Sequence, residues 1–239
     1  MSKLLESVKN SASFILVWII TFVALYVLAK LIENKLSHNE KKAVGIKRLS
    51  LIAMFSALAG VLMSIEFPLF FAPSFYKFDF SELPVLMISF YLGPSAGVIV
   101  AFLKVVIKIL IRSTSTAFVG DFANFLTCCA LVLPASIIYL KSKSKKSAVI
   151  ALVVGTLTLT IFGSFFNAFY LIPTFSKLFG LPLDVIVQMG TKVNPAITSV
   201  NTLVLFAVVP FNLLKGTVVS ILTMLLYKRL EKIFFKKIK

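Results

Sequence analysis

The sequence predicts an all-α integral membrane protein with about six or seven spans. Three observations point there. Hydrophobic residues make up 59% of the 239 positions and charged residues only 14%. A soluble domain carries roughly 25% charged residues. The mean hydropathy is +1.00, and the apolar residues fall into long runs separated by short charged segments. So few charges cannot build a water-facing surface.

The first uncharged run, Ser11 to Ala29, is long enough to cross a ~30 Å hydrocarbon core at about 1.5 Å per residue. It continues through Tyr26, Val27 and Leu28 to Lys30 without a small-residue cleavage site, so it reads as an uncleaved anchor. A polar linker follows, Glu33 to Arg48, and then a second span, Leu49 to Ile65. Phe67 to Ser81 is an aromatic, proline-bearing loop. The run from Leu83 is broken at Gly93-Pro94, a turn signal, which predicts a short span on each side, the second reaching Arg112. Phe122–Leu140 and Ser147–Ile172 are the next spans. A loop is expected from Pro173 to Asn194, then a last span from Ala196 to Tyr227 and a basic tail.

The net charge of +16 is concentrated in the Glu33–Arg48 linker, the Lys141–Lys146 cluster and the tail. Lys and Arg collect on the cytoplasmic side of membrane proteins. Six spans after the linker put all three segments on that side, with a cytoplasmic C-terminus and an outer N-terminus. Nucleic acid is set aside, because no basic face interleaved with aromatics lies outside the apolar runs. Cys128 and Cys129 are adjacent and the single histidine, His38, sits in a basic loop, so no metal-ligand spacing is present. No P-loop, G-x-G-x-x-G, H-E-x-x-H or G-x-S-x-G motif occurs. Nine acidic residues and one histidine leave little for acid–base chemistry. A small membrane-embedded enzyme is therefore the weaker class.

Polar residues inside the spans carry the information. Lys215 lies within an apolar run, where an ionisable group is costly and should face the protein interior. Along an ideal helix Asn201, Asn212 and Lys215 share one narrow face. A ligand-lining face and a structural interhelical network are both open readings. Asp121 and Asn124 share a face at the outer end of their span, and Asn167 lies among Phe165, Phe166, Phe169 and Tyr170. Such aromatics can form a slot for a flat ligand, or simply face lipid. Lys104, Lys108 and Arg112 recur every fourth residue and read either as stems snorkelling to the outer interface, with Asp121 available as a counter-charge, or as direct ligand contacts. Ala53, Ala57, Gly60 and Ser64 form a small-residue face that permits close helix approach, internally or with a partner.

Four segments carry a family resemblance: Asp79-Phe80-Ser81-Glu82-Leu83-Pro84, Gly120-Asp121-Phe122-Ala123-Asn124-Phe125, Phe166-Asn167-Ala168-Phe169-Tyr170-Leu171-Ile172-Pro173, and Phe211-Asn212-Leu213-Leu214-Lys215-Gly216. Together they resemble the riboflavin-specific S component of energy-coupling factor (ECF) vitamin importers. The resemblance implies a six-helix S-component bundle over residues 47–232, with residues 1–46 forming an extra transmembrane helix and basic linker, and residues 233–239 a basic tail. It implies a subunit of the bacterial plasma membrane that binds riboflavin, or FMN, as cargo on the outer side, with no cofactor of its own. Another vitamin, such as thiamine or biotin, is the variant within this class. The implied partners are a transmembrane coupling subunit and two ATPase subunits. The implied pocket includes Asn124, Asn167, Asn212 and Lys215, and the pattern of polar and aromatic residues in the spans adds Asp121, Tyr170 and Asn201 as ligand candidates. Phe75, Tyr76 and Phe78 would lie in the closing loop, and Ala53, Ala57 and Gly60 on the partner interface.

Overall fold

A computed structural model describes residues 12–36 and 45–230, with side chains through residue 227. His38, half of the linker (residues 37–44) and residues 231–239 of the basic tail lie outside the described residues. The chain forms α1 (Ala12–Leu36), α2 (Gly45–Ser64), a two-stranded antiparallel hairpin of β1 (Phe67–Pro68) and β2 (Lys77–Phe78), α3 (Glu82–Leu92), α4 (Pro94–Arg112), α5 (Val119–Lys141) and α6 (Lys145–Phe166). Short α7 (Ile172–Phe179) and α8 (Leu183–Thr191) follow, then α9 (Val200–Leu203) and α10 (Val209–Leu230). Among the described residues, six helical segments are long and apolar enough to cross a membrane. Of the six spans expected after the linker, the second, α3, is the exception, with 11 residues. That is about half the length a ~30 Å core requires.

Gly93 separates α3 from α4 at φ 96°, a backbone region glycine enters without steric cost. Its missing Cβ also makes room for the Glu33 carboxylate of α1, which would lie 2.9 Å from it. Glu33 accepts hydrogen bonds from the backbone N–H and hydroxyl of Ser95, and Arg48 donates to the same Ser95 hydroxyl at 3.0 Å. This clasp joins α1, α2 and α4 at one end of the bundle. Phe90 stacks on Tyr139, with ring centroids 4.4 Å apart. The Tyr139 and Tyr227 hydroxyls lie 3.2 Å apart, joining α5 to α10. At the opposite end Arg112 donates to the Ser64 carbonyl, and Lys77 of the hairpin pairs with Glu66.

The N-terminal helix is docked on the bundle. Trp18 is buried against Phe102 and Phe122, and Phe22 stacks on Phe102 at 4.3 Å. Its other face, including Leu16, Ile20 and Leu31, is exposed, as expected of a lipid-facing surface.

Two π turns depart from the expected pattern, at Asn167–Leu171 and Val204–Val208. Each is followed within two residues by a proline, Pro173 and Pro210. A helical proline lacks an N–H and clashes with the carbonyl four residues earlier. Those carbonyls belong to Phe169 and Phe206, both inside the π turns. Opening the turn accommodates the ring and lets helical structure continue. The expected loop from Pro173 to Asn194 is accordingly largely helical, containing most of α7 and all of α8.

Candidate ligand-binding site

A cavity opens between the hairpin loop and the helical bundle. Phe75, Tyr76 and Lys77 line it from the loop, Glu82 from α3, and Gly120, Ala123, Asn124 and Thr127 from α5. Leu159, Asn167, Leu171 and Phe175 line it from α6 through α7, and Phe211, Asn212 and Lys215 from α10. Aromatic rings and polar side chains converge there, among them Asn124, Asn167, Asn212 and Lys215 from three helical segments. Oriented polar groups on an apolar wall are the general form of a small-molecule site.

The loop is held over the cavity by polar contacts. The Tyr76 hydroxyl donates to Asn167 Oδ1 at 2.8 Å, and its ring packs on Phe211. Burial pushes the Tyr76 phenol above its ordinary pKa, so it stays protonated and donates. Asn167 Nδ2 donates to the Gly163 carbonyl at 2.7 Å. Gly163 also lets α10 approach: a Cβ there would lie 2.7 Å from Asn212 Nδ2.

Behind these residues lies a buried charge cluster. Lys215 Nζ donates to Asp79 Oδ2 at 3.1 Å and lies 3.0 Å from Glu82 Oε1. Lys104 Nζ donates to the same Glu82 oxygen at 3.0 Å and to the Ser81 hydroxyl at 2.7 Å. Asp79 Oδ1 accepts the Ser81 backbone N–H at 2.8 Å. Two carboxylates and two ammonium groups balance. Burial alone would raise the Asp79 carboxyl, but Lys215, Lys104 and the Ser81 hydrogen bonds outweigh it and hold its pKa below the ordinary value.

Several expectations are revised. Lys104 does not snorkel: it is 0% exposed and pairs inward. Lys108 bonds to Asp121 Oδ1 at 2.8 Å. Asp121 is engaged there and is not among the cavity walls, whereas its neighbours Gly120 and Asn124 are. Asn201 is exposed and away from the cavity. The Val204–Val208 π turn lies between it and Asn212, and one extra residue rotates the helix face by roughly 100°. Tyr170 is half-buried against Phe166, outside the lining, and Phe78 is buried behind the loop against Phe67 and Phe80. Gly60 is buried on Ile107, whose side chain a Cβ would overlap, so it belongs to α2–α4 packing. Ala53 and Ala57 remain exposed beside Leu49, Met54 and Leu58.

Glu82 lines the site and Asp79 supports it; the sequence reading quotes both within a resemblance segment but assigns neither a role. Two acidic residues abutting an apolar run, in a chain with lysines inside its spans, were the available signal.

The comparisons with known proteins agree with this architecture. The sequence profile of the family "ECF transporter, substrate-specific component" matches residues 47–227. The riboflavin transporter RibU of Staphylococcus aureus is 38% identical over 192 residues, covering 80% of this chain and 94% of that protein. The riboflavin transporter FmnP of Bacillus subtilis is 29% identical over 189 residues, covering 78% and 93%. A solved structure described as the S component of a bacterial ECF transporter superposes with a TM-score of 0.62 at 37% identity, covering 79% of this chain and 98% of that one. This multi-pass membrane chain, which works in complex with ECF partner subunits, therefore belongs to the family of substrate-specific components of ECF transporters.

Proposed function

We infer that the chain binds riboflavin at the hairpin-covered cavity and presents it for uptake by an ATP-driven ECF importer. The observation that carries the reading is the convergence of Asn124, Asn167, Asn212 and Lys215 on an aromatic-walled cavity. Riboflavin suits it: a flat tricycle for Phe75, Tyr76 and Phe211, a polar imide edge for amide and ammonium groups, and a polyol tail. The relatives named as riboflavin transporters support the choice over thiamine or biotin. FMN shares the ring and is the close variant.

The site residues assigned to the ligand are Asn124, Asn167, Asn212 and Lys215, with Phe75 and Tyr76 as the movable cover. Residues 47–232 form the binding domain. Residues 1–46 add a docked helix and linker, and residues 233–239 a tail. The hairpin end faces outward and the Glu33–Arg48–Ser95 end faces the cytoplasm together with the C-terminus, supported by the basic Lys141–Lys146 segment. The partners are a transmembrane coupling subunit, which approaches the exposed Ala53–Ala57 face, and two ATPase subunits that supply the energy.

The test is fluorescence titration of the purified, folded protein with riboflavin and FMN, without ATP. Saturable quenching is expected. Folded protein that binds neither flavin contradicts the reading.

A further inference from the structure

We propose that Glu82 is a specificity-determining residue whose free carboxylate oxygen accepts a hydrogen bond from the imide N–H of the bound flavin. The proposal rests on the riboflavin reading above. Glu82 is 2% exposed and lines the cavity. Its two oxygens are in unlike positions. Oε1 is shared by Lys104 and Lys215, each 3.0 Å away. Oε2 is buried and has no hydrogen-bond partner. Buried polar atoms without a partner are rare in native proteins, and each calls for an explanation. Here the atom belongs to a residue in the wall of a ligand cavity.

Two nearby donors are engaged elsewhere: the Tyr76 hydroxyl donates to Asn167, and the Ser81 hydroxyl, which accepts from Lys104, hydrogen-bonds Asp79. A ligand donor is the group left to complete Glu82. Both lysines bond Oε1, which leaves Oε2 as the open acceptor of the carboxylate. Lys215 also lines the cavity and supplies a donor beside it. An acceptor next to a donor matches a cyclic imide, in which an N–H is flanked by carbonyl oxygens. A flavin ring has one such N–H, and the remaining donors of riboflavin are ribityl hydroxyls. A site built to hydrogen-bond a substrate N–H rejects analogues lacking it, because its own buried group is left unpaired.

The experiment compares three ligands on the full-length protein and its variants: riboflavin, lumiflavin, which keeps the imide N–H but lacks the ribityl chain, and 3-methylriboflavin, which lacks the N–H. Wild-type titration with riboflavin first tests the parent reading: no binding there overturns that reading and this one together. Given binding, Glu82→Gln is expected to weaken riboflavin and lumiflavin by the same factor, roughly tenfold to a hundredfold. It should change 3-methylriboflavin by less than about threefold, a difference under 1 kcal/mol. Equal losses for all three ligands indicate a purely structural role and overturn the proposal. So does an unchanged affinity for all three. A loss for riboflavin without one for lumiflavin moves the contact to the ribityl chain and overturns the imide assignment. Glu82→Asp keeps the charge for the lysines and shortens the reach. If Glu82→Gln does not fold, the same ranking is expected in Glu82→Asp, and the same outcomes overturn it.

Discussion

Lys215 Nζ on α10 and Asp79 Oδ2, before α3, lie 3.1 Å apart although 136 residues separate them in sequence. Asp79 directly follows β2, so this pair ties the covering hairpin to the helix that supplies the cavity's ammonium group. Lys215 lines the cavity and belongs to a buried ion network, so the two readings the sequence left open are compatible in one side chain.

Replacing Lys215 should therefore move two observables together. Lys215→Met keeps the length and removes the charge. Breaking a buried ion pair from one side typically costs about 3–5 kcal/mol, because the partner charge is left unpaired. We expect a lower melting temperature and flavin affinity reduced by roughly tenfold to a hundredfold. Lys215→Met combined with Asp79→Asn should recover part of the melting temperature and none of the affinity. Thermal melts and flavin titrations on the same preparations check both.

Removing the Tyr76 hydroxyl should loosen the cover without unfolding the bundle. Tyr76→Phe keeps the ring against Phe211 and deletes the bond to Asn167 Oδ1. The expected result is faster flavin release, by several-fold, with a melting temperature close to the parent. Stopped-flow displacement by excess unlabelled ligand measures it.

Asp79 also sets an acid limit. Its folded pKa lies below the ordinary 3.8, so its contribution is fully present above that value and fades as pH falls through the depressed one. From pH 8 down to about 5, Asp79 should add no pH dependence to the melting temperature. Below about 4 the wild type should lose stability more steeply than Asp79→Asn, which has no carboxylate to protonate. Parallel melting curves across that acid range would contradict the assignment.

The proposed partner face divides where burial divides it. Ala53→Trp with Ala57→Trp adds bulk on an exposed face, so flavin binding should persist while transport is lost. Gly60→Val instead pushes a side chain into Ile107 and should lower the melting temperature. Binding, uptake into cells and thermal melts on the two variants separate the roles.

Much of the fold was legible because it is written locally. Apolar runs bounded by charge marked the spans, and Gly93-Pro94 marked the break between α3 and α4. Asn124, Asn167, Asn212 and Lys215 stood out because polar groups in apolar runs are costly. Asp79 and Glu82 did not, because the partners that explain them, Lys104 and Lys215, lie far along the chain. The snorkelling reading of Lys104 failed for the same reason: periodicity shows a stripe but not the carboxylate opposite it. Asn201 was misplaced because ideal helix angles ignore a π turn. Pro210, five residues before Lys215, was the local sign that the angles would shift.

The central claim is that the hairpin-covered cavity holds a flavin. Its most direct measurement is mass identification of the ligand that copurifies with the full-length protein in detergent, paired with the same preparation of Lys215→Met. The account predicts riboflavin or FMN, in near-stoichiometric amount with the parent and depleted in the variant, whereas a non-flavin ligand, or flavin held equally by both proteins, would contradict it.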